Sequence, residues 1–434
     1  MSPDLIGLLG VIALMLLLAE GAPIAVALGM VGIMGLGIVV TPEAALVKSG
    51  MIAFDVVSKY ELGVLPLFLL MAHLCFAAGA SRDFYDSAAK FVGHKRGGLA
   101  LASIGGCAGF GSISGSSLAT VATMGLVALP EMRRANYSPA LSTGALAAGG
   151  TIGSLTPPSA ALIVYGILAE QSIGKLFTAA IIPAATQALF YMAVIAIWCW
   201  IKPEAGPASP RAPWLERWRS LTRLADVGAL VLLVIGGIAA GWFSPTEAAS
   251  IGAVGGFVIL AIRRRFNLAA MTKAFADTLR TTGMIYAIII AAIIFSTFIS
   301  ATGFGERVSS SIAGLSHDKL LVIIAMVAIL LLLGMFLDGL AMMTLTIPIF
   351  LPITHELHID AIWFGILMVR TMEIGFMHPP VGMNVYVIHN LARDIPLMSI
   401  FKGIVPFLVS DLFHVALLIA VPAMALFLPG VLGA

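Results

Sequence analysis

Gly375-Phe376-Met377-His378-Pro379-Pro380 sits deep in an apolar stretch, 222 positions (375 against 153) after Gly153-Ser154-Leu155-Thr156-Pro157-Pro158. At the same offset Pro23 meets Pro245 and Pro130 meets Pro352, with no gap between them. Asp4/Asp226, Asp55/Asp277 and Ile152/Ile374 agree as well. Proline removes a backbone donor and is tolerated at few positions, so prolines kept in register mark an internal duplication. The chain is two copies of one unit, and each copy holds a proline pair inside an apolar segment.

Hydrophobic residues make up 60% of the chain and charged residues 11%, with a mean hydropathy of +1.05. A soluble domain carries about 25% charged residues. Apolar runs of spanning length recur throughout, so this is an all-α, polytopic membrane protein. The net charge of +2 excludes a nucleic-acid-binding role built on a basic surface. Cys75, Cys107 and Cys199 are odd in number and lie in apolar segments, which argues against a disulfide framework or a cysteine metal site. The N-terminus lacks a basic signal-peptide region, so the first apolar run is expected to stay in the protein.

Spans are expected near 5–20, 23–40, 99–130, 139–169 and 176–201, forming the first repeat over 1–201. A polar linker, 202–224, leads to the second repeat over 225–434, with spans near 226–242, 246–262, 320–351, 361–390 and 403–429. Segments 62–92 and 282–315 read as re-entrant hairpins, and 43–59 and 265–281 as interfacial helices. Five crossings per half is an odd number, so the second repeat is expected to be inverted relative to the first. With the N-terminus outside, Arg133, Arg134, the linker arginines, Arg263 to Arg265, Lys273, Arg280, Arg393 and Lys402 fall on the cytoplasmic side, and the fewer outer basic residues are Lys48, Lys59, Arg82, Lys90, Lys95, Arg96 and Lys175. Inverted repeats with broken helices are an architecture of secondary transporters.

Pro157 and Pro158 free the carbonyls of Gly153 and Ser154, and Pro379 and Pro380 those of Gly375 and Phe376. Orphaned carbonyls in hydrocarbon are costly. Either neighbouring helices and water satisfy them, or a hard cation such as Na⁺ does, since such ions take oxygen ligands. A glycine and hydroxyl run, Gly109 to Ser117, interrupts the preceding span; it contains Ser112, Ser114 and Ser116. Ser116 aligns with Asp338, an intramembrane carboxylate that is either functional or the partner of a helix N-terminus. Arg370 and Glu373 share one helical face, as a local ion pair or as substrate contacts. Asn384 follows on the same helix. His355 and His358 read as solvated. Nothing resembles a nucleotide fingerprint or a catalytic constellation, so no ATP, no organic cofactor and no enzyme activity are expected.

The run Gly111 to Gly125, Leu129-Pro130-Glu131-Met132, Gly149 to Gly153, Pro157-Pro158-Ser159, Ser172 to Phe177, Thr371 to Gly375 and Pro379 to Asn384 resembles the large membrane subunit of TRAP (tripartite ATP-independent periplasmic, DctM-like) transporters. The resemblance covers nearly the whole chain. It implies a Na⁺-driven, elevator-type importer of organic acid anions in the bacterial inner membrane. Its implied partners are a small four-helix membrane subunit (DctQ-like) and a periplasmic substrate-binding protein (DctP-like). Carried onto matching motifs, it implies one Na⁺ site at Ser112, Ser116, Gly153, Thr156 and Pro158, and a second at Gly334, Asp338, Gly375, His378 and Val381. Ser114, Ser117, Arg370 and Asn384 are substrate candidates.

His378 departs from the family's frequent threonine, so it supplies only its carbonyl or makes the second site pH-sensitive. Two other functions compete with this reading. One is a stand-alone anion symporter. The other is an ion-translocating subunit of a membrane enzyme complex, which the shortage of midplane charges beyond Asp338, Arg370 and Glu373 disfavours.

Overall fold

Inside a bilayer every backbone N–H and C=O must find a partner within the protein, which leaves helices or closed barrels. A computed structural model describes residues 2–305, 307 and 318–432, and every regular element among them is helical. The first half runs α1 (Pro3–Ala19), α2 (Ile24–Val39), α3 (Pro42–Ser58), α4 (Val64–Ala77), α5 (Ala80–Val92), α6 (Gly98–Ser114), α7 (Ser117–Arg134), α8 (Pro139–Leu155), α9 (Ala160–Leu168) and α10 (Ile173–Ile201). The second runs α11 (Trp214–Ala239), α12 (Pro245–Ile262), α13 (Leu268–Thr302), α14 (Lys319–Gly334), α15 (Gly339–Glu356), α16 (Ala361–Gly375), α17 (Met383–Leu391), α18 (Leu397–Ala420) and α19 (Ala423–Leu432).

Local chemistry sets many of the starts. Thr41, Ser138, Ser159, Ser172 and Asp360 each accept from the backbone N–H three residues on. Such a cap satisfies one of the free donors of a first turn.

Among the described residues, six helical segments are long and apolar enough to cross a membrane: Tyr60–Ala77, α10, α11, α12, α13 and α18. The pair α8 and α9, bent by 43°, makes a seventh. The chain is a multi-pass membrane protein.

The structure exchanges two sequence-based expectations. The segment 99–130, expected to cross, folds back on itself. The Leu99 N–H donates to the Tyr137 hydroxyl at 3.0 Å, and Ser103 contacts the Met132 sulfur at 3.9 Å, so the start of α6 lies beside the end of α7. The reversal is at Gly115, whose φ of 57° is the left-handed conformation that glycine adopts without strain, and Ser116 then caps α7. The polar run is therefore the tip of a helical hairpin rather than a mid-span break.

Conversely, the expected hairpin 62–92 begins with the continuous helix α4 and turns only at Gly79, where φ is 85°. In the second half, 320–351 likewise divides into α14 and α15. Both pack along α16, with Gly334 against Gly375 and Gly339 against Met372. The segments 265–281 and 282–304 form one helix, α13, of 35 residues and ~52 Å. Gly283 alone does not break it, so the expected hairpin 282–315 has no separate first arm; residues 306 and 308–317 lie outside the described ones. The linker is also shorter than 202–224, because α11 begins at Trp214.

This exchange moves charges. The Gly97 N–H donates to Gly206 O, Ser209 N–H to Gly93 O and Ser138 N–H to Ala205 O. The α5–α6 turn, the open end of the hairpin and the linker thus share one face. Arg263 adds the α4–α5 turn to that face, reaching Asp83 at 2.5 Å, Asp226 at 2.7 Å and Ala78 O at 3.0 Å. Lys95 and Arg96 therefore flank the linker instead of opposing it, and the basic asymmetry between the two faces is sharper than expected. On the opposite face, Lys59 to Leu62, Gly166 to Ile173 and Ser244 to Thr246 surround a cavity of about 600 Å³.

Candidate functional site

Each hairpin tip packs against a broken helix, and glycine makes the contact possible. A Cβ on Gly111 would stand 2.7 Å from the Gly153 Cα, and one on Gly334 would stand 3.1 Å from the Gly375 Cα. The two halves share the same backbone-to-backbone approach between hairpin and break. Both Pro157–Pro158 and Pro379–Pro380 are cis peptide bonds.

At the first break, α8 ends at Thr156, whose hydroxyl donates to Ile152 O at 2.8 Å. Of the two freed carbonyls, Ser154 O accepts from the Ser159 hydroxyl. Gly153 O receives no donor among the described residues. The tip is drawn in by backbone contacts: Ala160 N–H donates to Gly115 O at 3.3 Å, and a Cβ on Gly115 would meet Pro158 O at 2.4 Å. Ser116 O accepts from the Thr120 hydroxyl at 2.8 Å, and Ser114 bonds the same hydroxyl at 2.7 Å. The Ser112 hydroxyl donates to Gly109 O at 2.6 Å, which leaves its lone pairs free. Gly153 thus meets Ser116 and Gly115 meets Pro158, while the Ser112 and Thr156 hydroxyls each bond within their own helix.

The second break is built differently. Phe376 O accepts from the Asn384 N–H at 2.9 Å, and Gly375 O shares the His378 N–H at 3.3 Å. Both freed carbonyls there have protein partners, unlike Gly153 O, so sequence reasoning overstated the number left open. Asp338 Oδ1 accepts from the Ala341 N–H at 2.8 Å and caps α15, so one of its oxygens takes the helix-terminus role. Gly334 and Gly375 meet, and Asp338 stands at the start of α15, just after Gly334 in sequence. His378 and Val381 lie beyond the break, and His378 turns its Nδ1 onto Pro379 O at 2.6 Å.

Of the substrate candidates, Ser117 and Asn384 meet across the two halves. Asn384 Nδ2 donates to Ser117 Oγ at 2.9 Å and to Ala147 O at 3.1 Å. The Ser117 N–H donates to Ser154 Oγ at 2.9 Å. Ser114 stays with Thr120. Arg370 is corrected as the ion-pair partner of Glu373. It is buried, as are Ser117 and Asn384, and its ion-pair partner is Asp411 on α18 rather than Glu373.

Glu373 is also fully buried, beside the Ser117 and Ser154 hydroxyls, yet neither of its oxygens accepts a bond in hydrogen-bond geometry. Sequence reasoning missed Asp411 and His414; the signal was a carboxylate and an imidazole three positions apart within an apolar span. Among the described residues, no three of His, Cys, Asp and Glu converge on a metal-binding point. A hard monovalent cation held by carbonyl and hydroxyl oxygens needs no such cluster.

Comparison with known proteins identifies relatives of the chain. A family model described as the DctM component of the tripartite ATP-independent periplasmic transporter matches residues 11–424. The C4-dicarboxylate TRAP transporter large permease protein DctM of Pseudomonas aeruginosa is 36% identical over 382 residues, covering 88% of each chain. The isethionate TRAP transporter permease protein DctMQ of Oleidesulfovibrio alaskensis is 31% identical, covering 96% of this chain and 65% of its own length. In fold, the crystal structure of the Alcanivorax borkumensis YdaH transporter aligns over 98% of both chains with a TM-score of 0.61 at 15% identity.

Proposed function

The chain belongs to the DctM family, a transporter component rather than an enzyme, and we propose that it is the carrier subunit of a Na⁺-coupled importer of organic acid anions. One observation carries the coupling: Gly153 O, freed by the proline pair, has no donor among the described residues, and Gly153 packs against Ser116 O and the Thr120 hydroxyl of the hairpin. A cation bound there would supply the missing partner and fix the tip to the break. The weaker counterpart at Gly375 and Asp338 would hold a second cation, assisted by the carboxylate.

Relatives named for C4-dicarboxylate and isethionate support an anionic organic acid as cargo. The name DctMQ supports a small membrane subunit as one partner, and the family description supports a periplasmic binding protein as the other. In this reading the two hairpins and two bent helices move as one body in an elevator cycle against the remaining helices. The basic face looks into the cytoplasm, and the protein sits in the bacterial inner membrane.

The test is uptake of a candidate organic acid into liposomes holding the carrier, its small subunit and the binding protein. Uptake should follow an inward Na⁺ gradient. Accumulation driven by a proton gradient alone would overturn the coupling.

A further inference from the structure

The two bent helices are each braced by the long helix that follows in sequence, and the two braces touch. On α8, Thr151 lies two residues before Gly153. Its hydroxyl bonds Tyr191 OH at 2.9 Å and accepts from Gln187 Nε2 at 2.9 Å, both on α10. On α16, Arg370 lies five residues before Gly375. It pairs with Asp411, and its Nε donates to His414 Nδ1 at 3.0 Å, both on α18. Because His414 Nδ1 accepts, that imidazole is neutral and its Nε2–H points at Thr186 Oγ1 on α10, 2.9 Å away. Thr186, Gln187 and Tyr191 all stand on α10, so that helix itself joins the two braces. The two polar braces therefore meet on α10: Thr151 reaches it through Gln187 and Tyr191, and Arg370 reaches it through His414 and Thr186.

Thr151, Gln187, Tyr191, Arg370, Asp411 and His414 are each fully buried. None of them can face substrate in this conformation. Hydrocarbon offers no water to replace a broken member, so such a chain holds together or fails together. We propose that Tyr191 and the Arg370–Asp411 pair are positioning residues that tie the two breaks into one unit, so that a cation bound at one break favours binding at the other. This inference rests on the Na⁺-coupled reading. Coupling of this kind needs a contiguous physical connection and a measured interaction between sites.

The measurement is the steepness of Na⁺-dependent uptake in proteoliposomes. Wild type should show a Hill coefficient well above one. Tyr191→Phe, which removes one hydroxyl and keeps the ring, should lower it to about one while maximal uptake falls less than about twofold. The double variant Arg370→Met/Asp411→Leu removes both charges together and avoids stranding either; it should do the same. Arg370→Lys keeps the charge but loses the planar fork that serves Asp411 and His414 at once, so it should retain steepness only in part.

A merely structural brace would lower the amount of folded protein without changing the Hill coefficient. Unchanged steepness in Tyr191→Phe and in the double variant overturns the proposal and leaves Na⁺ coupling intact. A wild type with no Na⁺ dependence overturns both.

Discussion

Gly375→Ala is the sharpest perturbation the structure offers. A Cβ at position 375 would lie 2.6 Å from Gly334 O and 2.8 Å from both Gly334 C and Gly334 Cα. All three are backbone atoms, so no rotamer change relieves the clash. Restoring an ordinary 3.4 Å contact with the oxygen requires a shift of 0.8 Å (3.4 minus 2.6) between α14 and α16. Overpacking of this size costs about 1–3 kcal/mol, offset by about 0.5–1 kcal/mol because alanine favours a helix over glycine. The protein should therefore fold with a modestly lowered melting temperature.

Function should suffer more. Binding groups must hold their geometry within about 0.5 Å, and the hairpin tip carrying Asp338 would move beyond that limit. Half-saturation by Na⁺ in the uptake assay should rise at least ~10-fold, equivalent to about 1.4 kcal/mol of cation binding. Gly236→Ala on α11 is the control, because a Cβ there meets nothing within 4 Å. A Gly375→Ala carrier with wild-type Na⁺ response would refute the idea that the α14–α16 contact builds a cation site.

Other outcomes follow from single contacts. Arg263 is 14% exposed and donates to two carboxylates and two backbone carbonyls, so Arg263→Ala should destabilise the purified protein by about 3–5 kcal/mol, read as a lower denaturation midpoint. Arg263→Lys should rescue little of this, since an ammonium cannot span both partners. His378→Thr should leave Na⁺ half-saturation within about twofold, because the imidazole is turned onto Pro379 O; a larger shift would make the ring a ligand. On the basic face, the hydrogen bond from Arg133 holds the Asp394 carboxyl below its ordinary value. A depressed carboxyl stabilises above its unfolded value and loses that effect only as pH falls through the folded one, so wild type and Arg133→Ala should differ by a constant amount from about pH 5 to 8. A difference that shrinks within that interval would contradict the pairing.

Much of the architecture is readable from the residues. Duplication follows from proline register, because proline is the residue whose placement the backbone tolerates least. The membrane setting follows from composition, and the candidate cation positions follow from which carbonyls the proline pairs release. Gly153 does meet Ser116, and Gly334 meets Gly375.

Other features depend on tertiary contact. A glycine and serine run inside an apolar segment reads the same whether the helix is interrupted or reverses, and only the contacts of Leu99 with Tyr137 and of Ser103 with Met132 show reversal. Arg370 looks paired with Glu373 because helical spacing makes them neighbours, yet Asp411, 41 positions away, takes the guanidinium. Local sequence specifies which backbone groups lose their intrahelical partners. Which groups then satisfy them, and which charges find each other in a medium without water, is settled by helices brought together from distant parts of the chain.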